Sequence, residues 1–260
     1  MIRADHRGSG SSQRDVSRQG VDAWVEDVEA VVDAAELSRP FIVLGVSQAG
    51  AASGAHVARH PDRVSHLVSF GGGRNGARAS GVPALIAYHE ASVELMRVGW
   101  RGAFPGARIL VTTGLIADAT TEESAWFEQM LPRAMTMEDA VRFANAVADV
   151  DVRDVLPTIR TRTLVAHTAQ DTANPPERGR KFAASIPGAQ YVELPGKNHL
   201  LFPRDPGFHL FLKLLREFVA DTDVPADPLA CLSARERDIL DAVTTATAGR
   251  AFADRGRSPV

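Results

Sequence analysis

The chain has 260 residues, 45% of them hydrophobic, and a formal net charge of −3 from 29 basic and 32 acidic side chains. That length suits one large domain or two small ones, the near-balanced charge gives no basic footprint for nucleic acid, and no stretch approaches the ~20 apolar residues of a membrane span. Charged residues follow Met1 at once (Arg3, Asp5, Arg7), so no signal peptide is expected, and the lone Cys231 excludes an internal disulfide and a cysteine metal site.

These features point to a soluble, cytoplasmic, globular protein. Met1–Ala4 reads as the end of a strand, followed by a glycine- and serine-rich loop over 5–12. From Val21 the apolar residues Trp24, Val25, Val28, Val31, Val32 and Ala35 follow helical spacing, and Pro40 ends the helix. Phe41–Leu44 is an apolar run that suits a strand buried on both faces. An alanine-rich helix follows to His60, then a second buried strand, Val64–Phe70, closed by Gly71-Gly72-Gly73. Strand, turn, helix and strand in succession form the βαβ unit of an α/β protein.

Residues 74–155 differ. Helical patterns near 83–99, 122–131 and 137–148 predict an all-helical insertion. The α/β pattern then resumes with a strand at Thr163–Ala166, a helix at Pro176–Ile186, a strand at Tyr191–Leu194 and an amphipathic helix at Phe208–Val219. Residues 221–230, rich in aspartate and proline, read as a linker.

Gly45-Val46-Ser47-Gln48-Ala49-Gly50 lies between a buried strand and a helix, the setting a nucleophile elbow requires. A serine at such a turn has its hydroxyl lifted clear of the sheet, and small neighbours let strand and helix pass closely. The helix start aims free N–H groups at the same spot, where an oxyanion would form. Serine needs a base, and the base needs an orienting carboxylate. Asp171 and His199 each fall five residues after a predicted strand, where a parallel sheet gathers its functional loops. The other histidines (His56, His60, His66, His89 and His209) read as structural or solvated, His167 as a candidate pocket-lining residue, and Asp5 and Arg7 as braces of their loop.

Taken together these motifs resemble the α/β hydrolases over about residues 1–220. Asp5-His6-Arg7-Gly8-Ser9-Gly10-Ser11-Ser12 resembles the family's D-x-R-G-x-G-x-S loop, and Pro61-Asp62-Arg63-Val64 its P-x-R-V. Leu156–Val165, Ile186-Pro187-Gly188-Ala189 and Asn198-His199 add to the match. The resemblance implies a mainly parallel sheet flanked by helices, with core segments 1–73 and 156–220 and a helical lid at 74–155. It implies Ser47 as nucleophile, His199 as base and then acid, Asp171 as its orienting carboxylate, and the Gln48 N–H as one oxyanion donor. A serine at the elbow, where epoxide hydrolases and haloalkane dehalogenases would have aspartate, argues against both.

The family's three opening strands and its H-G-type loop, the second oxyanion donor, have no counterpart before Asp5. A damaged site and an apolar strand with an unpaired edge are therefore expected. Leu232–Leu240 resembles the start of a LuxR-type helix-turn-helix, but no recognition helix follows within 231–260, so DNA binding is not expected.

The expected function is cleavage of a carboxylic ester or related acyl substrate through an acyl-enzyme on Ser47. The alternatives are a non-catalytic ligand-sensing domain or inactive remnant, and lactone hydrolysis or perhydrolysis by the same residues. The expected partner is a small-molecule acyl or ester substrate. No cofactor, metal or membrane partner is implied, and the oligomeric state is not legible.

Overall fold

The computed structural model describes residues 1–101 and 104–220. The expectations for 221–260, linker and helix-turn-helix start alike, lie outside them. Four parallel strands form one sheet in the order β1-β2-β3-β4: β1 (Phe41–Val46), β2 (Val64–Phe70), β3 (Arg162–Thr168) and β4 (Gln190–Leu194). Parallel neighbours need crossover connections. Here these are α2 (Ala49–Arg59) between β1 and β2, and α8 (Pro176–Ala184) between β3 and β4. Between β2 and β3 the crossover holds five helices, α3 (Ala77–Ser80), α4 (Pro83–Gly99), α5 (Gly106–Leu115), α6 (Thr121–Ala134) and α7 (Met137–Asp149). The first helix is α1 (Val21–Ala34) and the last described one is α9 (Pro206–Ala220).

Strand alternation divides the core. On one side Leu67 and Val165 pack with Trp24 and Val25 of α1, Ala51 and Ala55 of α2 and Phe182 of α8. On the other, Val68, Phe70, Leu164 and Ala166 pack with Phe211 and Phe218 of α9. The central strands are enclosed on both faces, as all-parallel sheets require.

Three expectations are corrected. Residues 1–4 form no strand and are exposed. Among the described residues no strand pairs with them. β1 is not buried on both faces: it is an edge of the sheet among the described residues, and Ile42, Leu44 and Val46 are 44%, 43% and 37% exposed. That outcome matches the expectation of an apolar strand with an unpaired edge. The segment between β2 and β3 holds five helices rather than three. α5 escaped notice because Val111, Thr112, Thr113 and Gly114 are weak helix formers. Packing forms it instead: Ala107 and Thr112 are buried, and Arg108 donates to the carbonyls of Gly99 and Trp100 at 2.9 Å each.

The loop over 5–12 is braced as its composition suggests. Asp5 Oδ2 accepts the Ser11 N–H at 2.8 Å. Arg7 makes a two-pronged pair with Asp27 of α1 at 2.6 Å on each arm and donates to the Ala23 carbonyl. Neither residue faces chemistry. His6 stands edge-on to Trp24 and Phe143, joining this loop to α1 and α7.

Candidate active site

Ser47 sits between the end of β1 and the start of α2, with φ at +58°. A left-handed backbone is unusual outside glycine and marks a strained turn. It is held from both sides, because Ser47 N–H donates to the Phe70 carbonyl at 2.8 Å and Gly50 N–H to the Ser47 carbonyl at 3.0 Å. The small neighbours are sterically required. A Cβ at Gly45 would lie 2.6 Å from the Ala49 carbonyl oxygen, and one at Gly50 would run into the Ser69 hydroxyl. The Gln48 N–H has no backbone acceptor among the described residues, which leaves it free to bind an anion.

Asp171 lies in the loop after β3 and His199 in the loop after β4. Both are buried, and His199 Nδ1 stands 2.6 Å from Asp171 Oδ2. Burial pushes the Asp171 pKa up, but hydrogen bonds to His167 and His199 outweigh it and hold it at about 2. An ionised carboxylate only accepts. Nδ1 of His199 therefore carries a proton, so in the uncharged form of the ring the lone pair lies on Nε2. That is the tautomer a general base needs.

The two loops are tied together. Ala169 N–H donates to the Leu194 carbonyl at 2.9 Å and Gln170 N–H to the Gly196 carbonyl at 3.1 Å. Asp171 Oδ1 accepts the Asn174 N–H at 2.9 Å. His167 is fully enclosed. Its Nε2 donates to the Asn174 carbonyl at 2.5 Å and lies 3.4 Å from Asp171 Oδ2. It buttresses the carboxylate, and its complete burial leaves it no open surface to line a pocket.

The turn after β2 joins these parts. Phe70 O accepts from Ser47, Gly71 N–H donates to the Ala166 carbonyl at 2.9 Å, and Gly71 O accepts from Asn174 Nδ2 at 2.7 Å. A Cβ on Gly71 would stand 2.9 Å from His199 Cε1, so the imidazole rests on this glycine. Gly71 has φ +64°, which makes glycine necessary twice over. Ser47 and His199 thus flank one turn, although Ser47 Oγ makes no hydrogen bond to His199.

The helical segment reaches the same place. Leu200 N–H donates to the Leu115 carbonyl at 3.0 Å, and Asp118 N–H to Asn198 Oδ1 at 3.1 Å. Asn198 Nδ2 donates to Asp205 Oδ1 at 3.0 Å. Arg204 pairs with Glu123, at 2.9 and 2.6 Å. The His199 loop is therefore clamped between α9 and the α5–α6 connection. A cleft of about 310 Å³ lined by Gln19, Asp22, Arg59, Asp149 and Val152 involves none of Ser47, Asp171 and His199.

The supporting roles of Gly71, Asn174, Asn198 and Asp205 were not legible in the sequence, although Asn198 stands in the family match. The three glycines at 71–73 read only as a strand stop. The one available signal was the need for glycine beside a predicted functional loop.

A parallel sheet flanked by helices, with a strained serine between strand and helix, defines the α/β hydrolase fold. The chain belongs to the serine aminopeptidase, S33 family, whose model matches residues 1–206. Among curated proteins it is 29% identical over 233 residues to a 2-hydroxy-6-oxo-2,4-heptadienoate hydrolase of Pseudomonas putida, covering 86% of this chain and 79% of that one. Among solved structures it resembles an esterase from Exiguobacterium antarcticum (TM-score 0.72, 22% identity, 82% of this chain and 79% of the other). It also resembles an enol-lactonase from Burkholderia xenovorans (TM-score 0.69, 22% identity, 83% and 78%). The protein is a hydrolase by family. No described helix is long and apolar enough to cross a membrane.

Proposed function

We propose that the protein is a serine hydrolase that cleaves a carboxylic ester or related acyl substrate through an acyl-enzyme on Ser47. The observation that carries this reading is the 2.6 Å contact between Asp171 and His199 Nδ1, which leaves the Nε2 lone pair beside the turn that holds Ser47. In the first step Ser47 Oγ bonds to the acyl carbon and its proton passes to His199 Nε2. The oxyanion forms next to the Gln48 N–H. The carbon–oxygen bond then breaks, and His199 returns the proton to the departing alcohol. Water repeats the sequence, giving the acid and restoring Ser47.

Similar proteins support an acyl-type carbonyl as the target: an esterase and an enol-lactonase share the fold, and a 2-hydroxy-6-oxo-2,4-heptadienoate hydrolase is a curated relative. A second reading is a non-catalytic ligand-sensing domain. The missing hydrogen bond between Ser47 Oγ and His199 favours it, although such bonds often tighten only with substrate bound. Turnover of short p-nitrophenyl esters and of a lactone, by the protein and its Ser47→Ala variant, separates the two. The enzyme reading requires hydrolysis that Ser47→Ala abolishes. Binding without turnover supports the sensor.

A further inference from the structure

The histidines of α2 have no part in the chemistry above. His56 lies in the last turn of α2 and His60 caps its end, four residues on, so both face the same way. Glu29 of α1 stands opposite, with Oε1 2.5 Å from His60 Nε2. The two imidazole centroids are 5.0 Å apart. One ligand atom from each of the three residues falls within 4.8 Å of the others.

His56 supplies the independent observation. Its side chain is fully buried, yet neither Nδ1 nor Nε2 has a hydrogen-bond partner. Buried polar groups are nearly always satisfied, and an exception calls for a reason. A cation between the rings would take up the lone pair of its unprotonated nitrogen.

We propose that Glu29, His56 and His60 form a binding site for a divalent transition-metal ion of the zinc class. Two imidazoles and a carboxylate are a donor set that suits Zn²⁺. Tetrahedral ligands at about 2.0–2.1 Å from zinc stand roughly 3.3 Å apart, so modest side-chain rotations close the set. His60 and Glu29 are about one-third exposed, which gives the ion a path in and water access to a fourth position. Nearby guanidiniums do not oppose the charge unaided: Arg59 pairs with Asp22, and Arg63 with Asp33 at 2.9 Å.

Ser47 lies at the other end of α2, an 11-residue helix spanning about 16 Å. The ion would therefore clip α1 to the elbow helix and take no part in the reaction. The proposal does not rest on the enzyme reading.

The test is calorimetric titration of the chelator-treated protein with zinc chloride, paired with thermal melts. One ion per chain should bind and raise the melting temperature. Both His60→Gln and Glu29→Gln, at partly exposed positions where folding should survive, should weaken binding at least about tenfold and remove most of the melting shift. Co²⁺ in place of zinc should give the visible bands of a tetrahedral nitrogen–oxygen centre. Absence of stoichiometric binding, or binding and melting shifts unchanged in His60→Gln, would overturn the proposal.

Discussion

The imidazole of His199 rests on Gly71: a Cβ there would lie 2.9 Å from Cε1 and 3.3 Å from Nδ1. The contact braces the ring along its Cε1 edge, next to the nitrogen that meets Asp171. Gly71→Ala should displace the ring and also strain a backbone at φ +64°. A displacement of about 1 Å costs on the order of 100-fold in rate. We expect kcat for ester hydrolysis to fall by roughly that factor, with KM changed far less. Steady-state kinetics beside near-UV circular dichroism would check this, since a retained fold with an unchanged kcat would contradict it.

Asp171→Asn removes the charge that fixes the His199 tautomer. For the proposed triad the expected loss is about 10⁴-fold in kcat. The same carboxylate predicts a pH effect. Its folded pKa of about 2 lies below the ~3.9 of an unfolded chain, so its contribution to stability is present above about pH 4 and lost as pH falls towards 2. In urea unfolding, the stability difference between the parent and Asp171→Asn should shrink across that window. A constant difference would argue that Asp171 is not ionised in the fold.

Asn198 and Arg204 both fasten the His199 loop, but in different surroundings. Asn198 is buried and bridges the Asp118 N–H to Asp205, so Asn198→Ala strands two polar groups. A cost of about 1–3 kcal/mol is expected. Arg204 pairs with Glu123 at the surface, where solvent screens the pair and its contribution is small. Denaturant midpoints of Asn198→Ala and Arg204→Gln should therefore differ clearly, with Asn198→Ala the weaker protein. Hydrogen exchange of the Asp118 amide should accelerate in Asn198→Ala.

The apolar stripe Ile42, Leu44 and Val46 along the edge strand is an association hazard. Leu44→Lys should lower concentration-dependent light scattering on heating, while changing stability by no more than about 0.5 kcal/mol. Scattering identical to the parent would show that this strand does not govern self-association.

Local patterns made much of this structure legible. The β2 strand and the α4 helix match their predicted limits, because strong apolar runs and punctuating glycine or proline fix them. Asp171 and His199 were found by counting from strand ends, and the fold brings them together at 2.6 Å. Contacts between distant segments stayed hidden. Nothing near Gly71 in sequence announces that an imidazole will lie on it, and nothing near Asn198 announces the Asp118 backbone. The same limit explains α5, whose run Val111–Gly114 disfavours a helix until Arg108 and the buried Ala107 hold it in place.

The central claim is that Ser47 is the nucleophile. Intact-mass analysis after incubation with a fluorophosphonate, with peptide mapping and a Ser47→Ala control, tests it directly. One covalent adduct per chain on Ser47, absent from Ser47→Ala and strongly slowed in Asp171→Asn, is the predicted result. Equal labelling of the parent and Ser47→Ala, or no adduct on a folded parent that binds acyl ligands, would contradict it.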